Sequence, residues 1–287
     1  MNVLVATDGS KYGRWALNWV AELPFVEPPR VTALHVLDLR TLRAVRGPFL
    51  SQVEGERYLQ EEIQRMEARS AKALKEAKQQ LASLKLKGTA RKEQGAVAPT
   101  ILKRAPKREG LLVVGSQGLD ALDRFMLGSV STNLIQHATC PVLVVKGEAA
   151  PLRRLTLAID GSPASAKALA FVLAKFQPDR STGKGGLVPI HVSVIHVMPF
   201  VKYPGLKEAN NILIERSVQK LIKAGFTAKP VCQLGRPAEE IIKVAAAQHA
   251  DLIVMGAKGL GAIARFLLGS VSTRVVQHAN CTVLVVR

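Results

Sequence analysis

Cysteine is scarce in this chain, which has only Cys140, Cys232 and Cys281 among 287 residues. Their spacing fits neither a disulfide framework nor a Cys-x2-Cys zinc motif, so we expect a reducing compartment. Apolar runs are also short, because Lys258 and Arg265 interrupt the most apolar region. No run approaches the roughly 18 apolar residues of a membrane span, and the first residues lack the basic start of a signal peptide. The sequence predicts a soluble, cytoplasmic protein.

Acidic residues are few as well, since 22 Asp and Glu stand against 40 Lys and Arg, for a formal net charge of +18. Such an excess favours an anionic partner: a nucleic acid, an acidic membrane surface or a phosphorylated small molecule. Aromatic residues make up only 5% of the chain. We find no dense basic tract with interleaved aromatic residues of the kind that stacks bases. Charge alone does not choose among these anions.

The chain contains two copies of one pattern. Residues 115–146 and 256–287 align without a gap, and 20 of these 32 positions are identical. Upstream, the tripeptide Asp-Gly-Ser occurs at both 8–10 and 160–162. The linker of residues 147–151 spans only about 16 Å when extended, so the two halves must lie side by side. We predict two related domains, residues 1–147 and 152–287.

Each half alternates short apolar runs with amphipathic stretches, the order typical of β/α units around a parallel sheet. Strands are predicted at 2–7, 31–36, 88–94, 111–115 and 142–146, and at 155–159, 190–197, 227–233, 252–256 and 282–286. Helices are predicted at 10–22, 54–84, 97–105 and 131–137, and at 163–176, 206–224, 237–248 and 272–278. Ser10 and Ser162 are predicted to cap the first helix of each half. The fold prediction is two tandem α/β domains, each a doubly wound, Rossmann-like parallel sheet of five strands.

A glycine loop follows the fourth strand of each half, with the pattern G-x2-G-x9-G-S starting at Gly115 and at Gly256. Each loop begins where a buried strand ends and finishes at the start of a short helix. Glycine lets the backbone approach a ligand closely, and a helix start offers unpaired N–H groups to an anion. Hydroxyl groups at the same place add donors, from Ser129, Ser131 and Thr132 and from Ser270, Ser272 and Thr273. Phosphate is therefore the predicted ligand.

An aspartate ends the first strand of each half, Asp8 in one and Asp160 in the other. In an open α/β sheet, ligands bind beyond the carboxyl ends of the strands where the strand order reverses. An acid at that point can contact a ribose hydroxyl, an adenine amine or a Mg²⁺ ion, and these alternatives stay open. Together with the phosphate loops, the two aspartates indicate a nucleotide.

These motifs resemble the universal stress protein family: the strand ending in Asp-Gly-Ser, the glycine loop, the Leu-His-Val or Ile-His-Val strand, and the closing Val-Leu-Val-Val strand. The resemblance covers nearly the whole chain, twice, and implies strand order 3-2-1-4-5 with ATP as the bound cofactor. It places the base near Asp8 and Val36 in the first half, and near Asp160 and Val197 in the second. By the same resemblance, the phosphates would contact Gly115, Gly118, Gly128, Ser129, Val130 and Ser131, and Gly256, Gly259, Gly269, Ser270, Val271 and Ser272.

The resemblance also implies pairing of the last strands, Val142–Lys146 against Val283–Arg287, which would make the tandem an intramolecular pseudo-dimer. The predicted function is that of a nucleotide-dependent stress-response regulator, read by a regulatory protein partner. Two alternatives remain, a slow ATP hydrolase or nucleotidyl transferase, and a basic nucleic-acid-binding protein. The chain has no G-x4-G-K-[ST] motif and no nucleophile elbow. We therefore predict no catalytic residue and no metal ligand among the side chains.

Overall fold

A computed structural model describes residues 1–40, 42, 52–107, 109–118, 127–181, 187–198, 204–259 and 268–287. The elements of the first half are β1 (Asn2–Ala6), α1 (Lys11–Glu22), β2 (Arg30–Leu37), α2 (Gln52–Ser83), β3 (Gly88–Gln94), α3 (Val97–Arg104), β4 (Leu111–Gly115), α4 (Ser129–His137) and β5 (Val142–Val145). Those of the second half are β6 (Arg154–Ala158), α5 (Pro163–Lys175), β7 (Asp179–Ser181), β8 (Leu187–Pro189), β9 (His191–Met198), α6 (Pro204–Lys223), β10 (Thr227–Leu234), α7 (Pro237–Ala247), β11 (Leu252–Gly256), α8 (Ser270–His278) and β12 (Thr282–Val286).

Ten of these strands form one continuous sheet in the order β10-β9-β6-β11-β12-β5-β4-β1-β2-β3. Within each half, neighbouring strands of this sheet run parallel. Each half thus has the order 3-2-1-4-5, and the predicted fold class is confirmed. The direction of strand addition reverses between β1 and β4, and again between β6 and β11. These two points are where an α/β sheet of this kind opens a crevice.

Helices cover the sheet on both faces, because alternate residues of each central strand point to opposite sides. Val3 and Val5 pack with α1 and α2, whereas Leu4 packs with α3 and α4. The second half repeats this division, with α5 and α6 on one face and α7 and α8 on the other. None of the helices in the described ranges combines the length and apolar character needed to cross a membrane.

The halves meet along a seam formed by β5 and β12, which pair antiparallel with Leu284 opposite Leu143. Both leucines are fully buried. The residue after each of these strands is basic and reaches across the seam. Lys146 Nζ donates hydrogen bonds to the carbonyls of Gln277 (3.1 Å) and Ala279 (2.6 Å) at the end of α8.

Arg287 makes the matching contact in the other direction, donating to the carbonyls of Ile135 and Gln136 at the end of α4. The last carbonyls of a helix lack intrahelical partners and carry partial negative charge. Each half therefore supplies the cation that satisfies the last helix of the other half.

A second contact joins the halves at the segments that follow α1 and α5. Phe25 and Phe176 form an antiparallel bridge, and their ring centroids are 5.9 Å apart. Val26 N donates to Lys175 O (3.0 Å), and Gln177 N donates to Pro24 O (2.7 Å). Two separate antiparallel contacts thus hold the halves side by side.

Several element bounds differ by one or two residues from the sequence-based expectations. Helices α4 and α8 begin at Ser129 and Ser270, two residues earlier than predicted, because Gly128 and Gly269 act as extended N-caps. Their carbonyls accept the first helical hydrogen bonds, from Thr132 N and Thr273 N (2.9 Å each). The pair β7 and β8 was not predicted, since three-residue strands are too short to show an alternating pattern.

Candidate functional site

A cavity of about 590 Å³ lies beyond the carboxyl ends of β1, β2 and β4, between α2 on one side and α3 and α4 on the other. Apart from Thr132, the residues that the sequence analysis placed at the first site line this one cavity. They are Asp8, Val36, Gly115, Gly118, Gly128, Ser129, Val130 and Ser131. The crevice between β1 and β4 thus brings together residues more than 120 positions apart in the chain.

Asp8 is held at the centre of this crevice. Its Oδ1 accepts a hydrogen bond from Ser10 N (2.9 Å), which turns the chain sharply after β1. Its Oδ2 lies against the loop after β4, where a Cβ atom added to Gly118 would be 2.9 Å away. Asp160 repeats both features, with Ser162 N at 3.0 Å and a Cβ on Gly259 at 2.8 Å from its carboxylate. A side chain at either glycine would therefore push the facing carboxylate out of its present position.

The first and last glycines of the loop stand in different surroundings. A Cβ on Gly115 would lie 2.6 Å from the Cβ of Tyr12, so close packing of α1 on the strand end requires glycine there. A Cβ on Gly128 would meet only ordinary contacts, at 3.5 Å or more, and the φ angle of Gly128 is −62°. The fold has room for alanine at Gly128. The space in front of Gly128 is open to the cavity.

The start of α4 presents backbone donors to this space. Ser10 caps α1 by accepting from Gly13 N (3.2 Å), as predicted, but no side chain caps α4 or α8. Gly128 N donates to Ser116 O (2.8 Å), which closes the loop at its base. The next N–H groups, in the first turn of α4, have no intrahelical acceptor. An anion bound there would gain both hydrogen bonds and the favourable helix dipole.

The hydroxyl groups near the helix start differ from the expectation that they donate to phosphate. Ser131 Oγ donates to Gly115 O (2.6 Å), and Ser272 Oγ donates to Gly256 O (2.9 Å). Thr132 Oγ1 likewise donates to Gly128 O (3.0 Å). The protons of these hydroxyls are therefore already used in hydrogen bonds to backbone carbonyls. Ser129, which is exposed, is the hydroxyl of the first turn that faces outward.

A histidine forms part of the cavity wall. His35 Nδ1 lies 3.0 Å from Thr7 O, and His196 Nδ1 lies 2.8 Å from Ile159 O. A carbonyl only accepts hydrogen bonds, so this contact assigns the proton to Nδ1. In the neutral ring, Nε2 then keeps its lone pair. His35 lines the cavity, and its contact with Thr7 O holds the ring in place there.

Helix α2 supplies lining residues that sequence reasoning missed: Met66, Arg69 and Ser70. Ser70 is fully buried, and its Oγ has no hydrogen-bond partner among the described residues. A signal was present in the sequence, because Met66, Ser70, Ala73 and Ala77 follow the 4-3-4 spacing of one helix face. A serine in a stripe of otherwise apolar residues marks the point where this face passes from the core to the cavity.

Asp38 adds a charged group at the far end of the cavity. Arg40 donates to its carboxylate through Nε (2.8 Å) and Nη2 (2.7 Å). The Arg40 guanidinium lowers the pKa of Asp38 below its usual value. Asp38 is therefore ionised at neutral pH and held in a fixed orientation.

The two halves differ beside the glycine loop. In the first half, the Tyr12 hydroxyl donates to Gln117 Oε1 (2.6 Å), and Gln117 is buried. In the second half, Ala164 and Lys258 occupy the matching positions. The second loop therefore carries a cation where the first carries a neutral, hydrogen-bonded amide.

Comparison with known proteins agrees with this architecture. The model of the universal stress protein family matches residues 1–146 and again residues 151–287. A universal stress protein of Mycolicibacterium smegmatis is 31% identical over 300 residues, covering 99% of this chain and 96% of that protein. One from Mycobacterium tuberculosis strain H37Rv is 30% identical over 303 residues, with the same coverage.

A solved structure shows the same fold over the full length. The crystal structure of a universal stress protein from Archaeoglobus fulgidus DSM 4304 superposes with a TM-score of 0.69 at 22% identity. The superposition covers 100% of this chain and 98% of the Archaeoglobus fulgidus chain. The two family matches, the full-length relatives and the paired 3-2-1-4-5 sheets lead to one conclusion: this chain belongs to the universal stress protein family and contains two tandem domains of that family.

Proposed function

We propose that each half binds a nucleotide, ATP, in the crevice beside its glycine loop, and that the protein acts as a nucleotide-dependent stress-response regulator. The observation that carries this proposal is the uncapped start of α4, which faces Asp8 across the first cavity. The second half repeats this arrangement with α8 and Asp160.

The parts of the cavity suit the parts of a nucleotide. Phosphates fit the first turn of α4, where free N–H groups and the space in front of Gly128 meet. The ribose and base fit the opposite side, where Asp8 supplies acceptors and Val36 supplies an apolar surface. A volume of about 590 Å³ lies in the range of roughly 300–1,000 Å³ that small-ligand sites usually have.

A Mg²⁺ ion would depend on the nucleotide for its ligands. In the described part of the chain, no three His, Cys, Asp or Glu side chains lie close enough together to hold a metal ion. Mg²⁺ usually keeps several waters and is held by one or two carboxylates together with phosphate oxygens.

Regulation would follow from occupancy of the sites. A phosphate at the start of α4 contacts the same backbone that closes the glycine loop, through the Gly128 N to Ser116 O hydrogen bond. Binding would stabilise one arrangement of this surface over others, and a protein partner would read the difference. The residues 119–126 and 260–267 between the glycines lie outside the described ranges.

Substitution of Gly128 by alanine tests the site directly. Because the fold has room for this Cβ, Gly128→Ala should keep the thermal unfolding midpoint of the wild type. It should weaken ATP binding at the first site at least about tenfold, since the methyl group occupies space in front of the phosphate donors. Isothermal titration calorimetry would measure both sites of the chain.

The matched control is Gly147→Ala, because a Cβ on this linker glycine meets no atom within 4 Å. This variant should bind ATP like the wild type. Equal affinities for wild type and Gly128→Ala would contradict the proposed phosphate position. Native mass spectrometry should show two ATP molecules per chain. Steady release of inorganic phosphate from bound ATP would instead support the hydrolase alternative.

A further inference from the structure

A second cavity, of about 700 Å³, lies at the opposite end of the first half of the sheet. It is bordered by the first residues of β1, β2 and β3 and by the end of α3. On β1, Asn2, Val3 and Leu4 line this cavity, whereas Ala6, Thr7 and Asp8 line the nucleotide cavity, so the two cavities lie toward opposite ends of the strand. No residue lines both cavities.

The second cavity is basic. Its lining contains Arg30, Lys87, Arg91 and Arg104, which are all exposed, and no acidic residue. Arg104 pairs with Glu93 at 2.5 Å, just outside the lining. The other three cations have no ion-pair partner among the described residues. We call these three residues, Arg30, Lys87 and Arg91, the basic triad.

The second half provides an internal comparison, because the strand registers match position by position. The positions of the basic triad are occupied there by His191, Thr227 and Val231. These residues form the same strands, so the fold does not require the three cations. Another explanation is needed for their convergence on one cavity.

An acid also distinguishes the two halves at this end of the sheet. The second half carries Arg154 and Lys229 here, but Asp251 lies beside them and accepts hydrogen bonds from Arg153 N and Arg154 N (2.8 Å each). The first half has Gly110 in the position of Asp251. The cations of the first half therefore lack the carboxylate that Asp251 supplies in the second half, and Glu93, outside the lining, pairs with Arg104.

We propose that this cavity binds a small, multiply phosphorylated molecule through its phosphate groups. Arginine presents a planar fork of donors that matches phosphate oxygens, and two of the basic triad are arginines. The side chains of Asn2, Thr32 and Thr89 bring further donors to the same lining. The volume suits a small molecule. Because no aromatic residue lines the cavity, it offers no surface on which nucleic-acid bases would stack.

The test compares two triple variants with the same net charge. Arg30→Gln, Lys87→Gln and Arg91→Gln together remove the basic triad, and Lys167→Gln, Lys220→Gln and Lys223→Gln together remove three exposed lysines of the second half. Inorganic tripolyphosphate is titrated into each protein by calorimetry at one fixed salt concentration. All substituted side chains are exposed, so both variants should unfold at the wild-type temperature.

Loss of the basic triad should weaken one class of tripolyphosphate sites at least about tenfold, and the control should weaken it less than about twofold. Similar losses in both variants would overturn the proposal, because they would indicate diffuse electrostatic attraction. Absence of any site sensitive to the basic triad would overturn it as well. A parallel titration with single-stranded oligouridylate tests whether the cavity binds a nucleic acid instead. Tighter binding of this RNA, lost with the basic triad, would replace the small phosphorylated ligand by a nucleic acid.

Discussion

Gly115 lies at the end of β4, where α1 packs against the strand. The packing leaves no room for a side chain at this position. A Cβ at this position would lie 2.6 Å from the Cβ of Tyr12 and 3.1 Å from Gln117 O. The backbone on both sides is held by the sheet and by α1, so neither neighbour can move away freely. The same residue type at Gly128 meets no such obstacle.

Gly115→Ala should therefore lower the free energy of unfolding by about 1–3 kcal/mol, the usual cost of forcing an extra methyl into a packed site. Urea unfolding at neutral pH measures this change. Gly128→Ala is the comparison in the same loop and should leave the free energy of unfolding within about 0.5 kcal/mol of the wild type. Equal stabilities for the two variants would show that α1 moves away more easily than the structure indicates.

Residues whose role depends on a local pattern could be predicted from the sequence. Asp8 and the loop glycines were identified because a strand, an acid and a spaced set of glycines recur in both halves. The donation from Ser131 to Gly115 O and the approach of Ser70 from α2 could not be predicted. Both contacts depend on which part of the folded chain lies opposite the side chain. The position of a residue within its helix does not predict this.

At the scale of secondary-structure elements, the ends of α4 and α8 show how the halves depend on each other. Lys146 donates to the last carbonyls of α8 and is half-buried. Burial lowers the pKa of Lys146 from 10.5 to about 8. The thiol of Cys281 lies close to this amine, and burial raises the pKa of Cys281 to about 11, so it stays neutral over the same range.

This depressed pKa predicts a pH dependence of stability. Between pH 8 and 10.5 an unfolded chain holds more protons at Lys146 than the folded chain does. The free energy of unfolding contributed by this residue should therefore rise as the pH rises through that window. Urea unfolding at pH 7.5 and 9.5 measures it, with Lys146→Met as the variant that lacks the titration.

The wild type should gain stability relative to Lys146→Met between these two pH values. Lys223→Met, which removes an exposed lysine at the end of α6, should change in parallel with the wild type. A gain of the same size in all three proteins would assign the effect to groups other than Lys146.

The boundaries of elements were predicted where a side chain marks them and missed where only the backbone does. Ser10 and Ser162 predict the starts of α1 and α5, because serine is a favoured N-cap residue. The structure confirms both caps. The N-caps of α4 and α8 are Gly128 and Gly269, which have no side chain to mark the start of a helix. The first two residues of each were therefore assigned to the preceding loop.

At the scale of the whole molecule, the aromatic contact between Phe25 and Phe176 links the halves away from the sheet. Phe176 is 2% exposed and also packs edge-on against Phe171, with centroids 5.7 Å apart. The backbone amides of Val26 and Gln177 donate across this contact. These amides are protected only while the two segments remain together.

Phe176→Ala should open this contact and cost about 3–5 kcal/mol of stability. Hydrogen exchange measured by mass spectrometry should show faster exchange at residues 24–26 of the first half. Phe226→Ala is the matched control, because Phe226 is equally buried but belongs to the core of the second half. Its exchange effect should stay within the second half, and faster exchange at residues 24–26 in both variants would indicate global loosening.

The antiparallel seam limits how far the sequences of the two halves can diverge. At the centre of the sheet, β5 and β12 are each other's neighbours, and the chain reads Val-Leu-Val-Val followed by a basic residue in both. At the two outer edges, β3 and β10 have no partner in common and read Gly-Thr-Ala-Arg-Lys-Glu-Gln and Thr-Ala-Lys-Pro-Val-Cys-Gln-Leu. A substitution in β5 or β12 must be compatible with the packing of both halves, because the two strands pair with each other. A substitution in β3 or β10 affects only the half that contains it. The two copies can therefore diverge more freely at the outer edges of the sheet than at its centre, and two residues of the basic triad, Lys87 and Arg91, lie at one of those edges.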